Sequence, residues 1–189
     1  MKLNRLLLVL IASAPLASAQ QGAIELFAGE TLFAEGWRVG WTQIESQREG
    51  LMSGTRSVSD PKNERLRDSR SVFLLDYGMN PELTLSLLVP FVSKDLRSDA
   101  GDESTSNLGD VAVAAKYLVH NNRWHGGAFS VSVVGGLELP SGKDDERSGG
   151  DILPARLQSG AGATNPFLAT SMTYGDGRVR YDATLFVKV

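Results

Sequence analysis

Residues 108–119 read LGDVAVAAKYLV, and this stretch decides the fold. In an extended chain side chains alternate at a period of two. Val111, Val113, Ala115, Tyr117 and Val119 therefore fall on one side, and Asp110, Ala112, Ala114 and Lys116 on the other. A soluble sheet would turn its large apolar side toward a core and leave a broadly polar side in water. Here the opposite side is small and charged, and neighbouring segments repeat the contrast. Such a strand meets lipid with its apolar face and a polar interior with the other.

Working outward from it, residues 71–79 set Phe73, Leu75, Tyr77 and Met79 against Val72, Leu74 and Asp76, and Asn80-Pro81 then breaks the ladder because proline has no N–H to donate. Residues 82–94 set Leu83, Leu85, Leu87, Val89 and Phe91 against Glu82, Thr84, Ser86, Leu88 and Pro90. Residues 128–140 set Phe129, Val131, Val133, Leu137 and Leu139 against Ser130, Ser132, Gly136 and Glu138, with Gly135 and Gly136 marking a bend or bulge. Residues 33–44, with Trp37, Val39 and Trp41 on one face, form the first strand. Residues 163–174, with an ambiguous face, form the sixth. Residues 178–189, where Val179, Tyr181, Ala183, Leu185 and Val187 alternate with Arg178, Arg180, Asp182 and Thr184, form the seventh. The predicted fold is all-β: an antiparallel up-and-down transmembrane β-barrel, incomplete at about seven strands.

The connections alternate in length. Polar segments 47–70, 95–107 and 141–162 are long, whereas the turns at 80–81, 120–127 and 175–177 are short, as in outer-membrane barrels with long outside loops and short periplasmic turns. Segment 47–70 has neither a two-residue nor a 3.6-residue apolar period and reads as a loop. Tyr77, Tyr117 and Tyr174 precede short turns, and Phe129 and Tyr181 follow them. These five are the candidate periplasmic aromatic girdle.

The first nineteen residues read as a secretory signal peptide: Lys2 and Arg5, a short apolar run from Leu6 to Ile11, then Ala17-Ser18-Ala19 before a cut at Gln20. Residues 20–32 are a lead-in and 33–189 the barrel domain. No stretch reaches the roughly 20 apolar residues of a spanning helix. Without Lys2 and Arg5 the chain holds 17 basic and 22 acidic residues, a net charge of −5, so no basic patch argues for nucleic acid. The chain has no cysteine, hence no disulfides and no thiol chemistry.

Charges at mid-depth on a lipid face cost about 2 to 4 kcal/mol for Arg or Lys. The candidate interior-facing charged residues are therefore Arg38, Asp76, Glu82, Lys94, Asp110, Lys116, Glu138, Arg178, Arg180 and Asp182, acting either on a passing solute or in ion pairs that fix register. Asp110 and Lys116 share a side but lie roughly 20 Å apart along the strand, too far to pair. His120 and His125 sit with Trp124 in the expected turn, without a cysteine or close carboxylate, so no metal site is expected. The acidic runs 99–103 and 144–146 lack the spacing of a calcium loop and read as solvated outer loops. There is no Gly-x-Ser-x-Gly motif, phosphate loop or dinucleotide fingerprint, so neither enzymatic activity nor a cofactor is expected.

Leu108-Gly109-Asp110-Val111 leading to Lys116-Tyr117, followed by Gly136-Leu137-Glu138-Leu139-Pro140-Ser141-Gly142 opening a polar loop, resembles the outer-membrane transporter family of the MetA pathway of phenol degradation over residues 30–189. The resemblance implies an outer-membrane barrel with a distant likeness to hydrophobic-substrate channels. Family members are longer, so this chain corresponds to their N-terminal half to two-thirds. An odd strand count and an end at Lys188-Val189 without a terminal aromatic likewise read as a fragment, since single-chain barrels have even strand numbers. A complete chain would instead hold a further strand within Gln20 to Leu32 or be an eight-stranded barrel. The expected function is passage of small aromatic or hydrophobic compounds across the outer membrane of a Gram-negative bacterium. The expected partners are outer-membrane lipids, a small-molecule solute and the barrel-insertion machinery. Two alternatives are a structural outer-membrane barrel without transport and a soluble periplasmic β-sandwich that binds a ligand.

Overall fold

The computed structural model describes residues 28–49, 51–53, 56–58, 60, 62–99, 101–148 and 150–188. The expected signal peptide and most of the lead-in lie outside these. In chain order the strands are β1 (Trp37–Glu49), β2 (Leu51–Ser53), β3 (Arg56–Val58), β4 (Arg65–Asn80), β5 (Leu83–Arg97), β6 (Glu103–Leu108), β7 (Ala112–Trp124), β8 (Gly127–Glu138), β9 (Arg147–Ser148), β10 (Asp151–Ile152), β11 (Asn165–Gly175) and β12 (Arg180–Lys188). A single 3-10 turn, Ala155–Leu157, lies between β10 and β11. One antiparallel sheet runs β1-β4-β5-β7-β8-β11-β12 and curls into a half-barrel, while β6 pairs with the far half of β5. No helix among the described residues is long and apolar enough to cross a membrane.

Burial across this sheet is inverted relative to a soluble protein. On the inner face Asp76, Ser132 and Ser171 are fully buried and Lys116 is 2% exposed, while on the outer face Val39 is 77% and Tyr181 63% exposed. In β7 the order is strict: Ala112, Ala114 and Lys116 are buried, and Val113, Ala115 and Tyr117 are exposed. The outer face carries no charge from Trp37 to Trp41 in β1, from Leu83 to Phe91 in β5, or from Tyr181 to Val187 in β12. In β5 that apolar band is about 26 Å long at 3.3 Å per residue, the height expected for a membrane-facing belt.

Several boundaries differ from the sequence reading. β1 begins at Trp37 rather than Phe33 and runs on to Glu49, and β4 starts at Arg65. These polar extensions are held by a ladder that needs no apolar side chains, with outward cross-strand bonds such as Gln43 Nε2 to Ser69 Oγ at 2.7 Å and Ser69 Oγ to Glu45 Oε1 at 2.9 Å. Segment 47–70 holds the small hairpin β2–β3, and segment 95–107 holds β6. His120 is not in a turn. β7 continues to Trp124, and only His125 and Gly126, the latter at φ 91°, connect it to β8. Gly135 and Gly136 sit in unbroken register with Leu168 and Phe167. The irregularities fall instead between Gly78 and Asn80 and between Leu118 and His120.

The quoted motif marks a third discontinuity. Leu108 pairs with Phe91 and Ala112 with Leu88, so Gly109, Asp110 and Val111 stand opposite only Val89 and Pro90. Pro90 brings no N–H to this side, and its carbonyl accepts from Gly109 N at 2.8 Å.

Candidate functional site

The inner wall is covered at both ends by chain folded onto it. At the short-turn end, residues 28–33 cross the wall as a strap. Leu32 N donates to Thr84 Oγ1 on β5 at 2.8 Å, and Lys116 Nζ on β7 donates to the carbonyls of Ala28 and Glu30 at 3.1 Å each. Ser132 Oγ on β8 donates to Gly29 O at 2.6 Å, and Gly29 N donates to Thr173 Oγ1 on β11 at 2.8 Å. Glu30 reaches Arg180 on β12 at 3.0 Å. A Cβ at Gly29 would collide with the Ser130 carbonyl and the Thr173 backbone, so only glycine allows this approach. Buried hydroxyls and a buried ammonium need partners, and the strap's main chain supplies them. Beside it, Arg38 pairs with fully buried Asp76 at 2.6 Å, and Ser86 donates to the same carboxylate.

At mid-height the wall is apolar. Ala112, Ala114, Val134, Phe167 and Ala169 form a buried cluster joined by Leu88 and Phe186, and the Phe167 and Phe186 rings lie 5.7 Å apart at 33°. A side chain at Gly136 would overlap the Phe167 ring. Its glycine therefore makes room for a ring on the next strand instead of bending its own strand.

At the long-loop end, Leu153, Leu157 and Gln158 of segment 141–162 are buried against the wall and hold the loop over it, while its acidic run stays in solvent, with Asp144 and Asp145 exposed. The loop's base is clasped by Asp110, whose Oδ1 accepts from Gly142 N at 3.0 Å and Oδ2 from Ala161 N at 2.7 Å. Ser141 Oγ accepts from Val111 N at 2.8 Å and donates to Gly109 O at 3.1 Å. The Gly-Asp and Pro-Ser-Gly motifs thus hold each other. Farther along, Leu153 and Leu157 bury with Leu96 and Leu66, Lys94 Nζ donates to Gln158 O at 2.6 Å, and Thr105 Oγ1 donates to Leu157 O at 2.9 Å. Arg156 Nη2 meets Glu64 Oε1 at 2.9 Å; accepting this guanidinium holds the Glu64 carboxyl below its ordinary value and raises that of Arg156.

Of the ten charged residues singled out from sequence, Arg38, Asp76, Lys94, Lys116, Glu138, Arg180 and Asp182 lie on the inner wall. Glu138 pairs with Lys188, and Arg180 pairs with Asp182 at 2.9 Å. Asp110 lies in the bulge. Glu82 and Arg178 fall in the short turns, exposed and off the wall. The five aromatics are on the outer face: Tyr77 stacks on Trp37 at 4.6 Å, Tyr117 is 56% exposed, and Phe129, Tyr174 and Tyr181 oppose one another in register. Trp124 joins Tyr174 at 5.8 Å. The face of β11, ambiguous from sequence, resolves with Phe167, Ala169, Ser171 and Thr173 inward and Tyr174 outward. Among the described residues no group of three or more His, Asp or Glu is placed to hold a metal.

Sequence reasoning missed the strap, the Phe167–Phe186 pair and the inward loop. The row of small hydroxyl residues Thr84, Ser86, Ser130, Ser132, Ser171 and Thr173 was the available signal, since it marks where another main chain can come close.

Residues 65–171 match the sequence profile of the family described as "Putative MetA-pathway of phenol degradation". No curated protein matches the chain.

Proposed function

The chain belongs to this family of the MetA pathway of phenol degradation, and from that premise we propose that it is an outer-membrane β-barrel channel for small aromatic or hydrophobic compounds. The observation that carries the reading is the inverted sheet. Exposed Trp, Tyr, Leu and Val side chains on one face and buried charges and hydroxyls on the other are stable only with lipid outside and a polar interior. The outward aromatics would sit at the periplasmic interface, the long loops outside, and an export signal at the start would be removed on the way.

Within the interior, the apolar mid-height floor around Phe167 and Phe186 supports a ring-bearing solute, and the paired charges at both ends keep water there. The reading contains no catalytic step. His120 is on the outer face, 5.9 Å from the Phe129 ring, away from the inner-wall serines. Strap and loop together favour a second reading, a plugged barrel without passage.

Solute flux separates the two. Full-length protein in vesicles is expected to admit phenol and small aromatic acids faster than sugars of equal size; no flux across the panel overturns the channel. Heat-dependent migration on a denaturing gel tests the closed barrel independently.

A further inference from the structure

Just above the apolar belt, the outer face changes character in two adjacent cross-strand rows. Ser71, Phe91 and Leu108 are in register across β4, β5 and β6, and so are Ser69, Ser93 and Ser106 in the next outward row. With backbone of Val92 and Asn107 between the rows, they enclose a shallow groove of about 380 Å3, the size of a small-ligand site. Phe91 is half exposed and braced edge-on by Phe73 at 5.9 Å, so its position is fixed while one edge of the groove remains apolar. The far rim is polar: Ser69 is tied to Gln43 and Glu45, and Arg67 reaches Glu45 at 3.3 Å. The hydroxyls of Ser93 and Ser106 stand directly opposite each other and make no hydrogen bond among the described residues.

An aromatic edge, free hydroxyls and an amide–carboxylate rim suit a ligand with C–H faces and many hydroxyl groups. A phosphate would need a free cation, and no arginine or lysine lines the groove, while Arg67 in the next outward row is already taken by Glu45. The groove also lies where a lipid headgroup would begin if the belt below it faces hydrocarbon. We propose that it binds the sugar headgroup of a glycolipid in the surrounding leaflet, with Phe91 under the ring and Ser93 and Ser106 hydrogen-bonding its hydroxyls. This rests on the membrane reading above, whose own failure would show as extraction of the full chain without detergent.

The test uses two detergents with one alkyl chain. Full-length protein in octaethylene glycol dodecyl ether micelles is titrated with dodecyl maltoside while amide chemical shifts are followed. Saturable shifts confined to Ser69, Phe91, Ser93 and Ser106 are expected. The double substitution Ser93→Ala with Ser106→Ala, which removes hydroxyls without adding volume, should weaken the response about tenfold, the worth of two ordinary hydrogen bonds. Shifts that never saturate, that spread over the whole belt, or that survive the double substitution would overturn the proposal. So would equal shifts with dodecylphosphocholine, which would replace sugar with a charged headgroup.

Discussion

The inner wall is covered at its two ends by opposite means. The strap, residues 28–33, contributes mostly main chain, and the wall's own side chains, Lys116, Ser132, Thr84 and Thr173, make the bonds. Loop 141–162 contributes side chains of its own: Leu153 and Leu157 extend a small apolar cluster, and Arg156 reaches Glu64. A cover made of close backbone approach depends on the absence of a Cβ at one residue. A cover with its own core should lose stability in proportion to what is removed from it.

The sharpest way to break that contrast is Gly29→Val. The added side chain meets the backbone of both β8 and β11, which cannot shift without disturbing the ladder, so the strap should leave the wall at a cost of about 3 kcal/mol. Hydrogen exchange at the amide of position 29, corrected for the change of residue, and at Leu32 should quicken by about a hundredfold while Leu157 is unchanged. Equal acceleration at Leu157 would mean that the two covers open as one unit.

The complementary change is Leu157→Ala, which empties the centre of the four-leucine cluster. It should cost about 2 to 3 kcal/mol, read as faster exchange and proteolysis within 150–160, with the strap amides unmoved. Asp110→Ala comes next. It strips acceptors from Gly142 N and Ala161 N at the loop's base, at about 2 kcal/mol, and Asp110→Asn, which keeps one acceptor oxygen, should lose about half of that. Protection at Gly142 and Ala161 measures both; unchanged protection in Asp110→Ala would show that the close backbone approach of Gly142 to Gly160, where a Cβ on either would collide with the other, closes the base instead of the carboxylate.

What could be read from sequence follows the same division. The outer face was legible because it carries one property at every second residue, and β5 from Leu83 to Phe91 and β7 from Val113 to Tyr117 repeat it without interruption. The seven-strand order was legible because Asn80-Pro81 and Gly175-Asp176-Gly177 are short turns with their own side-chain acceptors. The covers were not, because they depend on residues far apart in sequence: Gly29 and Thr173 are 144 positions apart. Local signals also misled. Asn121-Asn122 looks like a turn yet continues β7, and Gly136 looks like a bulge yet serves the Phe167 ring. The actual irregularity at Val119 carries no glycine or proline to announce it. The ten charges were found as a class, but whether each lay on the wall, in the bulge or in a turn was decided by register.

The smallest expected effect concerns the tip of the loop cover. Glu64 sits beside Arg156, and its folded carboxyl is held below the ordinary range chiefly by that hydrogen bond. Its contribution is therefore fully present above the unfolded carboxyl value and is lost as pH falls through the lower folded one. Arg156 stays charged throughout, so Glu64 alone sets the sign. The pair is exposed to water and screened by salt, which keeps the effect modest. Acidification should bring exchange at Leu157, whose amide donates to Pro154 O at 2.8 Å, toward the rate in Glu64→Gln, and the difference between the two proteins should shrink further in high salt. Gly29 should show no difference between wild type and Glu64→Gln at any pH. A matching difference there would tie the strap to the loop across the whole wall and undo the distinction between a cover held by the wall and a cover that holds itself.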